Sequence, residues 1–279
     1  MNRIRADVIA FTATARKEWQ VMMRYRSNFL LLLAETVLMP IAYWAQAAGF
    51  EGGDPNAADA FAQRSGTSSV AGFIYLGWAV YMWMTEVVWG PGSALRKERM
   101  QGSLESLVLT PVSGFTLLFG PAATQLFPAA LVFTAVGLMM RFAFGVPLDA
   151  GQIVGGVLVV LASVPVLFAL GAVVGVSVMR IRDSAGVNSS VRGLVGILCG
   201  ITYPVAVLPE WVRPVSEAIP ITHVLDALRF AVLNHGGIAE LWRRALVLLL
   251  FALVIGTVAM VMFRLTMISV RRTGRLGQF

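Results

Sequence analysis

The sequence predicts an all-α polytopic membrane protein with six transmembrane helices, built as a single domain over residues 1–279. Of its 279 residues, 57% are hydrophobic and only 13% are charged, whereas a soluble domain carries about 25% charged residues. The charged residues form short bands between long apolar runs. Most of the 22 lysines and arginines lie in alternate bands, as expected when basic loops stay on the cytoplasmic side.

Residues 1–26 predict an amphipathic helix that lies along the membrane surface. Ile4, Phe11 and Trp19 share one apolar stripe, and Arg5 and Arg16 lie off it. A tryptophan at this place suits the headgroup region. The interleaved charges argue against a cleavable signal peptide. A soluble helix is the alternative, but the rest of the chain offers no soluble core to pack on.

Six apolar runs are candidates for membrane-spanning helices, since about 20 residues cross the hydrocarbon core. The predicted spans are residues 28–50, 70–90, 115–140, 153–179, 193–207 and 245–263. The first contains Glu35 and the second contains Glu86. A charge inside the bilayer costs roughly 2.5–3.5 kcal/mol. We therefore expect both side chains to face protein or water, or to be protonated, whether their role is functional or structural.

Residues 96–111 predict an amphipathic helix on the cytoplasmic surface, between the second and third spans. At about 100° per residue, Leu104 and Leu107 fall on one face, and Glu98 and Glu105 fall on the opposite one. Pro111 ends this helix because it lacks an N–H and clashes with the preceding turn. The polar face is then available to a cytosolic partner, although simple solvation of the two glutamates would produce the same pattern.

Residues 208–237 predict a re-entrant segment on the outer side of the membrane, because no continuous helix survives so many prolines. The prolines recur every five or six residues, at Pro204, Pro209, Pro214 and Pro220. In the helix that follows them, Asp226 and Arg229 are three residues apart and could pair. Interrupted backbone at membrane depth must be buried against protein.

The segment 96–111 resembles the signature of type-2 ATP-binding-cassette (ABC) transport permeases. The matching run reads Glu98-Arg-Met-Gln-Gly-Ser-Leu-Glu105, followed by Leu107-Val-Leu-Thr-Pro111. In that family this segment is the coupling helix, which contacts a separate ATPase subunit. The coupling residues that the resemblance implies are Glu98, Arg99, Gly102, Ser103, Leu104, Glu105, Leu107 and Pro111.

A second run, in the other half of the chain, is similar to the same family. It reads Leu208-Pro-Glu-Trp211, then Pro220-Ile-Thr222, then Asp226-Ala-Leu-Arg229. The family usually has a glutamate where this chain has Asp226. The resemblance implies that the re-entrant segment contains Trp211, Pro220, Asp226 and Arg229.

The resemblance implies that this chain is the permease subunit of an exporter in the bacterial inner membrane, with both termini cytoplasmic. Two copies, as a homodimer, would join two ATPase subunits in a 2:2 complex and export a drug-, lipid- or glycolipid-like cargo. ATP and magnesium would be bound by the ATPase, and this chain would bind no cofactor. The sequence agrees, because a Walker A lysine follows a glycine, whereas Lys17 and Lys97 both follow an arginine.

Other functional classes receive little support from the sequence. Cys199, His223 and His235 do not form a metal-ligand set, and no hydrolase motif predicts a catalytic residue. Basic loops in a membrane protein indicate orientation, so nucleic acid is not an expected partner. The alternative function is a secondary transporter driven by an ion gradient, in which Glu35 and Glu86 carry protons.

Overall fold

A computed structural model describes residues 3–24, 26–51, 57–100, 126–178, 184–234 and 237–273. Side chains at 89–100 and at scattered helix positions lie outside the described set. Within these ranges the chain forms helices joined by short turns, with no strand. The helices are α1 (Arg3–Arg24), α2 (Arg26–Glu51), α3 (Ala57–Ser65), α4 (Val70–Met100), α5 (Leu126–Phe142), α6 (Ala150–Val178), α7 (Ser184–Leu198), α8 (Arg213–Glu217), α9 (Pro220–Leu233) and α10 (Ile238–Thr273).

Three helices in the described part of the chain are long and apolar enough to cross a membrane. Their candidate spans are Val70–Val88 in α4, Ala150–Ser177 in α6 and Glu240–Thr266 in α10. The apolar window of α4 is 78% buried inside the protein, whereas that of α10 is only 11% buried. An apolar helix that is covered on all sides belongs to the core. The helix α4 is therefore central, and α10 presents most of its surface outwards.

The core is built around α4. Tyr75, Trp83 and Met84 on this helix are almost completely buried. Leu167 of α6 and Leu228 of α9 belong to the same buried cluster. Packing at this density is sensitive to single methyl groups, so the inner face of α4 has little freedom to vary.

The helix α9 packs into the bundle against α4, α6 and α10. Its inward face carries Val224, Leu225 and Leu228, each almost fully buried. A methyl group added at Gly156 of α6 would lie 3.0 Å from Val232 Cγ2. The inward face of α9 is thus buried against protein.

Several helix ends meet around α9, at what we call the α9 end of the bundle. A methyl group added at Gly72, in the first turn of α4, would touch Leu233 of α9 and Met140 near the end of α5. One added at Gly155, near the start of α6, would touch Leu241 in the first turns of α10. All the loops predicted to face outwards therefore lie at the same end of the molecule.

The chain turns sharply after α7. The sequence predicts a span over 193–207, but the helix covers Ser184–Leu198 and a short 3-10 turn follows at Val205–Val207. Gly200 has φ +69°, and a methyl group there would lie 2.7 Å from Val205 Cγ2. A left-handed glycine ends helices readily, so it returns the chain towards α4 earlier than hydropathy suggests.

Candidate functional site

The residues predicted for ATPase coupling lie mostly outside the described residues. Glu98 and Arg99 fall in the last turn of α4, which continues without a break to Met100, and their side chains are outside the described set. The remainder of the predicted coupling set also lies outside it, namely Gly102, Ser103, Leu104, Glu105, Leu107 and Pro111. The backbone of the second predicted span therefore runs directly into the predicted coupling segment.

The two acidic residues predicted within the membrane belong to one charged cluster. Glu86 of α4 lies within electrostatic range of both Glu35 of α2 and Arg192 of α7. The side chain of Glu86 is half-buried, whereas that of Glu35 is exposed on the outside of the bundle. Arg192 was not connected with the two acids by the sequence, because it lies more than a hundred residues away along the chain.

The Arg229 side chain ties α9 to two other parts of the bundle. Its guanidinium donates hydrogen bonds to the carbonyl oxygens of Gly200 at 2.8 Å and Ile201 at 2.7 Å. It donates a third, of 3.1 Å, to the Phe73 carbonyl of α4. The guanidinium carbon also lies 3.3 Å from the centroid of the Phe73 ring, within the range of a cation–π interaction. Arg229 therefore fastens the turn after α7 onto α4.

A glycine of α4 makes this contact possible. A methyl group at Gly77 would lie 1.9 Å from the Ile201 carbonyl oxygen and 2.6 Å from Arg229 Nη2. No larger residue fits there without moving backbone. Sequence reasoning did not identify Gly77, although a glycine inside an apolar helix often marks a close backbone approach.

Arg229 holds its charge without a carboxylate in hydrogen-bond contact. Burial lowers the pKa of Arg229 to about 9, and the nearby Asp226 opposes this decrease. The helix α9 lies outside the three candidate spans, and the guanidinium stays protonated at neutral pH. The predicted pairing of Asp226 with Arg229 is replaced by an ion pair between Asp226 and Arg244.

Arg244 joins α9 to the start of α10. Besides the ion pair with Asp226, its guanidinium carbon lies 4.2 Å from the centroid of the Phe230 ring. Glu240 Oε1 lies 3.4 Å from Arg244 Nε and accepts a 2.6 Å bond from Arg243. Sequence reasoning missed Arg243 and Arg244, which it counted only as charges of an outer loop.

The other predicted residues of the re-entrant segment have different roles. Pro220 is the first residue of α9, where its missing N–H costs nothing. Trp211 is 81% exposed, so it contributes almost no packing to the bundle. The turn around it is held by Arg213, whose Nε donates to the Leu208 carbonyl at 2.9 Å and whose Nη2 donates to the Ala206 carbonyl at 2.8 Å.

A cavity of about 400 Å³ opens at the α9 end. We call it the α9-end cavity, and its lining comes from α3, the first turn of α4, the turn after α7, α9 and the start of α10. The side chains that matter below are Arg64, Phe73, Glu217, Asp226, Arg229 and Arg244. A smaller cavity of about 240 Å³ shares Asp226 and Arg244 and adds Arg243.

The surface helix α1 contacts the bundle near the predicted coupling segment. The Trp19 ring packs edge-on against Phe127 of α5, with the centroids 4.8 Å apart. Phe127 lies in the first turn of α5, the helix that follows the predicted coupling segment.

Comparison with known proteins identifies the family of this chain. The family model for the ABC-2 type transporter matches residues 9–233, a range that extends from α1 through the end of α9 and includes the predicted coupling segment. A comparison with curated proteins finds no significant match. The match covers most of the chain, and the described helices include apolar, span-length ones. The protein is therefore a transmembrane permease that belongs to the ABC-2 type transporter family.

Proposed function

We propose that the chain is the permease subunit of an ABC exporter that moves a drug-, lipid- or glycolipid-like substrate out of the cell. A separate ATPase subunit would bind ATP and magnesium, and this chain would bind neither. The observation that carries the proposal is the family match over 9–233, which includes the residues 96–111 that resemble a coupling helix. An exporter permease of this kind normally works with an ATPase partner.

The proposed coupling contact is made by the polar face of residues 96–111. Glu98 and Glu105 would pair with basic residues of the ATPase, and Leu104 would be the apolar anchor between them. Because α4 continues unbroken to Met100, a push on this segment would be transmitted along the central helix of the core. Closure of the ATPase around ATP would thus reach the interior of the bundle directly.

The proposed orientation places the α9 end outside the bacterial inner membrane and both termini in the cytoplasm. The distribution of lysine and arginine supports it, since the bands expected on the inner side hold most of these residues. Two identical copies would together form the pathway, in a 2:2 complex with the ATPase. The loosely covered α10 and the exposed face of α2 supply surface for lipid and for the second copy.

Co-purification tests the proposed partner. The tagged chain, extracted in mild detergent with its neighbouring genes co-expressed, is expected to bring down a protein with a Walker A motif in a 2:2 ratio. The double variant Glu98→Arg/Glu105→Arg should lose that partner, because the charge reversal faces basic residues. A matched control is Asp59→Arg/Glu210→Arg, which reverses two exposed acids at the α9 end, one in α3 and one in a turn. Retention of the ATPase by the first double variant would contradict the proposed contact.

The charged cluster of Glu35, Glu86 and Arg192 supports a second candidate, transport driven by a proton gradient. Acids within a membrane domain are typical of such transporters. In proteoliposomes that contain this chain alone, a proton gradient would then drive substrate movement that Glu86→Gln abolishes. The exporter proposal expects no transport under these conditions and ATP-dependent transport once the ATPase is included.

A further inference from the structure

We propose that the α9-end cavity is a binding site for a phosphate-type anionic group, carried by a membrane lipid or present as free phosphate. This inference does not depend on coupling to an ATPase. It rests on the charge, the unpaired donors and the size of the cavity.

The charges that line the cavity are mostly positive. Three guanidinium groups, those of Arg64, Arg229 and Arg244, face two carboxylates, those of Glu217 and Asp226. His223 also lines the cavity, and its Nε2 lies 2.7 Å from the Glu217 carbonyl oxygen, to which it donates. Two further charges lie beside these groups and offset each other, because Arg243 donates hydrogen bonds through Nε and Nη2 to the two carboxylate oxygens of Glu240. An excess of positive charge remains.

Arg229 contributes much of that excess. Its partners are three backbone carbonyls and an aromatic ring, none of which carries a full negative charge. Burying a cation without a countercharge is costly, and an anion in the adjoining cavity would offset that cost. Asp226, the carboxylate that acts on the charge of Arg229, forms its ion pair with Arg244.

Two buried donors of the cavity lack a hydrogen-bond partner among the described residues. They are the Nε atoms of Arg229 and Arg244. Arg244 Nε lies 3.4 Å from Glu240 Oε1, with which it forms an ion pair, and Arg229 Nε has no acceptor among the described residues. Arg64 also lines the cavity, is exposed and forms no ion pair with a described residue. A planar guanidinium with free N–H groups is the side chain best suited to phosphate oxygens.

The cavity is also large enough and correctly placed. At about 400 Å³ it falls within the usual size of ligand pockets and exceeds what a phosphate group requires. It lies at the end of the bundle where the apolar helices α4, α6 and α10 begin, and in the proposed orientation lipid headgroups would surround that end. Basic pockets between membrane helices are a known form of anionic headgroup recognition.

Lipid binding to the purified chain tests the proposal without any ATPase. Native mass spectrometry would measure retention of phosphatidylglycerol and, for comparison, of phosphatidylcholine with the same acyl chains, whose phosphate charge is balanced by its choline ammonium. Calorimetry would measure binding of inorganic phosphate. The test variant is Arg64→Gln/Arg244→Gln. The matched control, Arg141→Gln, removes one exposed positive charge at the same end of the bundle without touching the cavity.

We expect the wild-type chain and Arg141→Gln to bind one of these anions, and the test variant to bind it at least about ten-fold more weakly. Preference for phosphatidylglycerol identifies a lipid source, and binding of inorganic phosphate alone identifies a free anion. If the double variant does not elute as a single folded species, Arg64→Gln decides, since this exposed side chain has no packing role. Binding of neither anion by the wild type, or equal binding by wild type and variant, would overturn the proposal.

Discussion

Arg229 and Gly77 act together at the scale of single residues. Arg229 donates hydrogen bonds to three carbonyl oxygens. Gly77 leaves room for this arrangement, because a Cβ atom there would collide with the Ile201 carbonyl oxygen and with Arg229 Nη2. Each residue is ordinary by itself. Their combination brings the turn after α7 to within van der Waals distance of the central helix, and therefore fixes where α9 enters the bundle.

Gly77→Ala should destabilise the protein by about 1–3 kcal/mol, as overpacking of a dense interior does. The new methyl group would lie 1.9 Å from the Ile201 carbonyl oxygen, so backbone must move. The control is Gly137→Ala in α5, where a methyl group meets nothing within 4 Å and should be neutral or stabilise by up to about 1 kcal/mol. The melting temperatures of the two variants in detergent measure these changes in stability. Equal melting temperatures for the two variants would contradict this account.

Arg229→Lys should also lower stability, although the charge is kept. A lysine cannot reach three carbonyls with a fixed planar fork, and each carbonyl left without a donor costs about 1–3 kcal/mol. Arg243→Lys is the control, because the Arg243 side chain is 73% exposed and its ion pair with Glu240 tolerates a point charge. A lysine at 229 that melts with the wild type would show that the three bonds contribute little.

At the scale of helices, α10 has one face in the core and a much larger face outside it. Leu248 is completely buried, whereas Leu253, on the same helix, is 68% exposed. Substitutions at these two leucines therefore distinguish a side chain packed inside the protein from one on the outer surface of the helix. The helices α4 and α10 differ in the same way, because α4 is surrounded by other helices and α10 has neighbours on one face.

Leu248→Ala should cost about 2 kcal/mol or more, because the deleted atoms leave a cavity in packed surroundings. Leu253→Ala should cost far less, since lipid chains can fill the space left by the side chain. The comparison is made by thermal unfolding in detergent and again in lipid nanodiscs. Equal losses from the two substitutions would mean that α10 is covered on its outer face by another part of the assembly.

The Asp226–Arg244 pair links two helices, and a double-mutant cycle isolates its contribution. Asp226→Asn and Arg244→Gln should each lower the melting temperature, and together they should cost less than the sum. The coupling should be at most about 1 kcal/mol, since the Asp226 side chain is 66% exposed. It should decrease as salt is added. Strict additivity of the two substitutions would show that the pair is not a link.

At the scale of the whole molecule, the loops predicted to face outwards meet at the α9 end. The proposed orientation, with this end outside and the N-terminus in the cytoplasm, predicts that α3 and α1 face opposite sides of the membrane. A cysteine in place of Asp59 should react with a membrane-impermeant maleimide in intact cells. A cysteine in place of Gln20 should react only after permeabilisation.

Both cysteines are introduced into a Cys199→Ala background, although the native thiol is buried. A cysteine at exposed Leu253 serves as the control, because the lipid chains should keep it unlabelled in both conditions. Labelling of positions 59 and 20 from the same side would contradict the proposed orientation.

Much of this architecture could be predicted from composition and spacing. Long apolar runs predicted α2, α4, α6 and α10, because the bilayer sets a fixed length for any helix that crosses it. Regularly spaced prolines predicted that the region before α9 is interrupted, because a proline removes a donor that a helix needs. The end of α7 was placed too far along the chain, because hydropathy does not register a left-handed glycine within an apolar run.

The sequence by itself determined the all-helical membrane class and the family, since hydrophobic length and local motifs are encoded by neighbouring residues. Only the tertiary structure decided which residues meet. Arg229 donates hydrogen bonds to the carbonyl oxygens of Phe73 and of the turn after α7. Asp226 forms an ion pair with Arg244 and not with Arg229, which is three positions away. These pairings depend on the distances between segments that lie far apart in the sequence. The charged cavity at the α9 end exists only because several such segments are folded against one another.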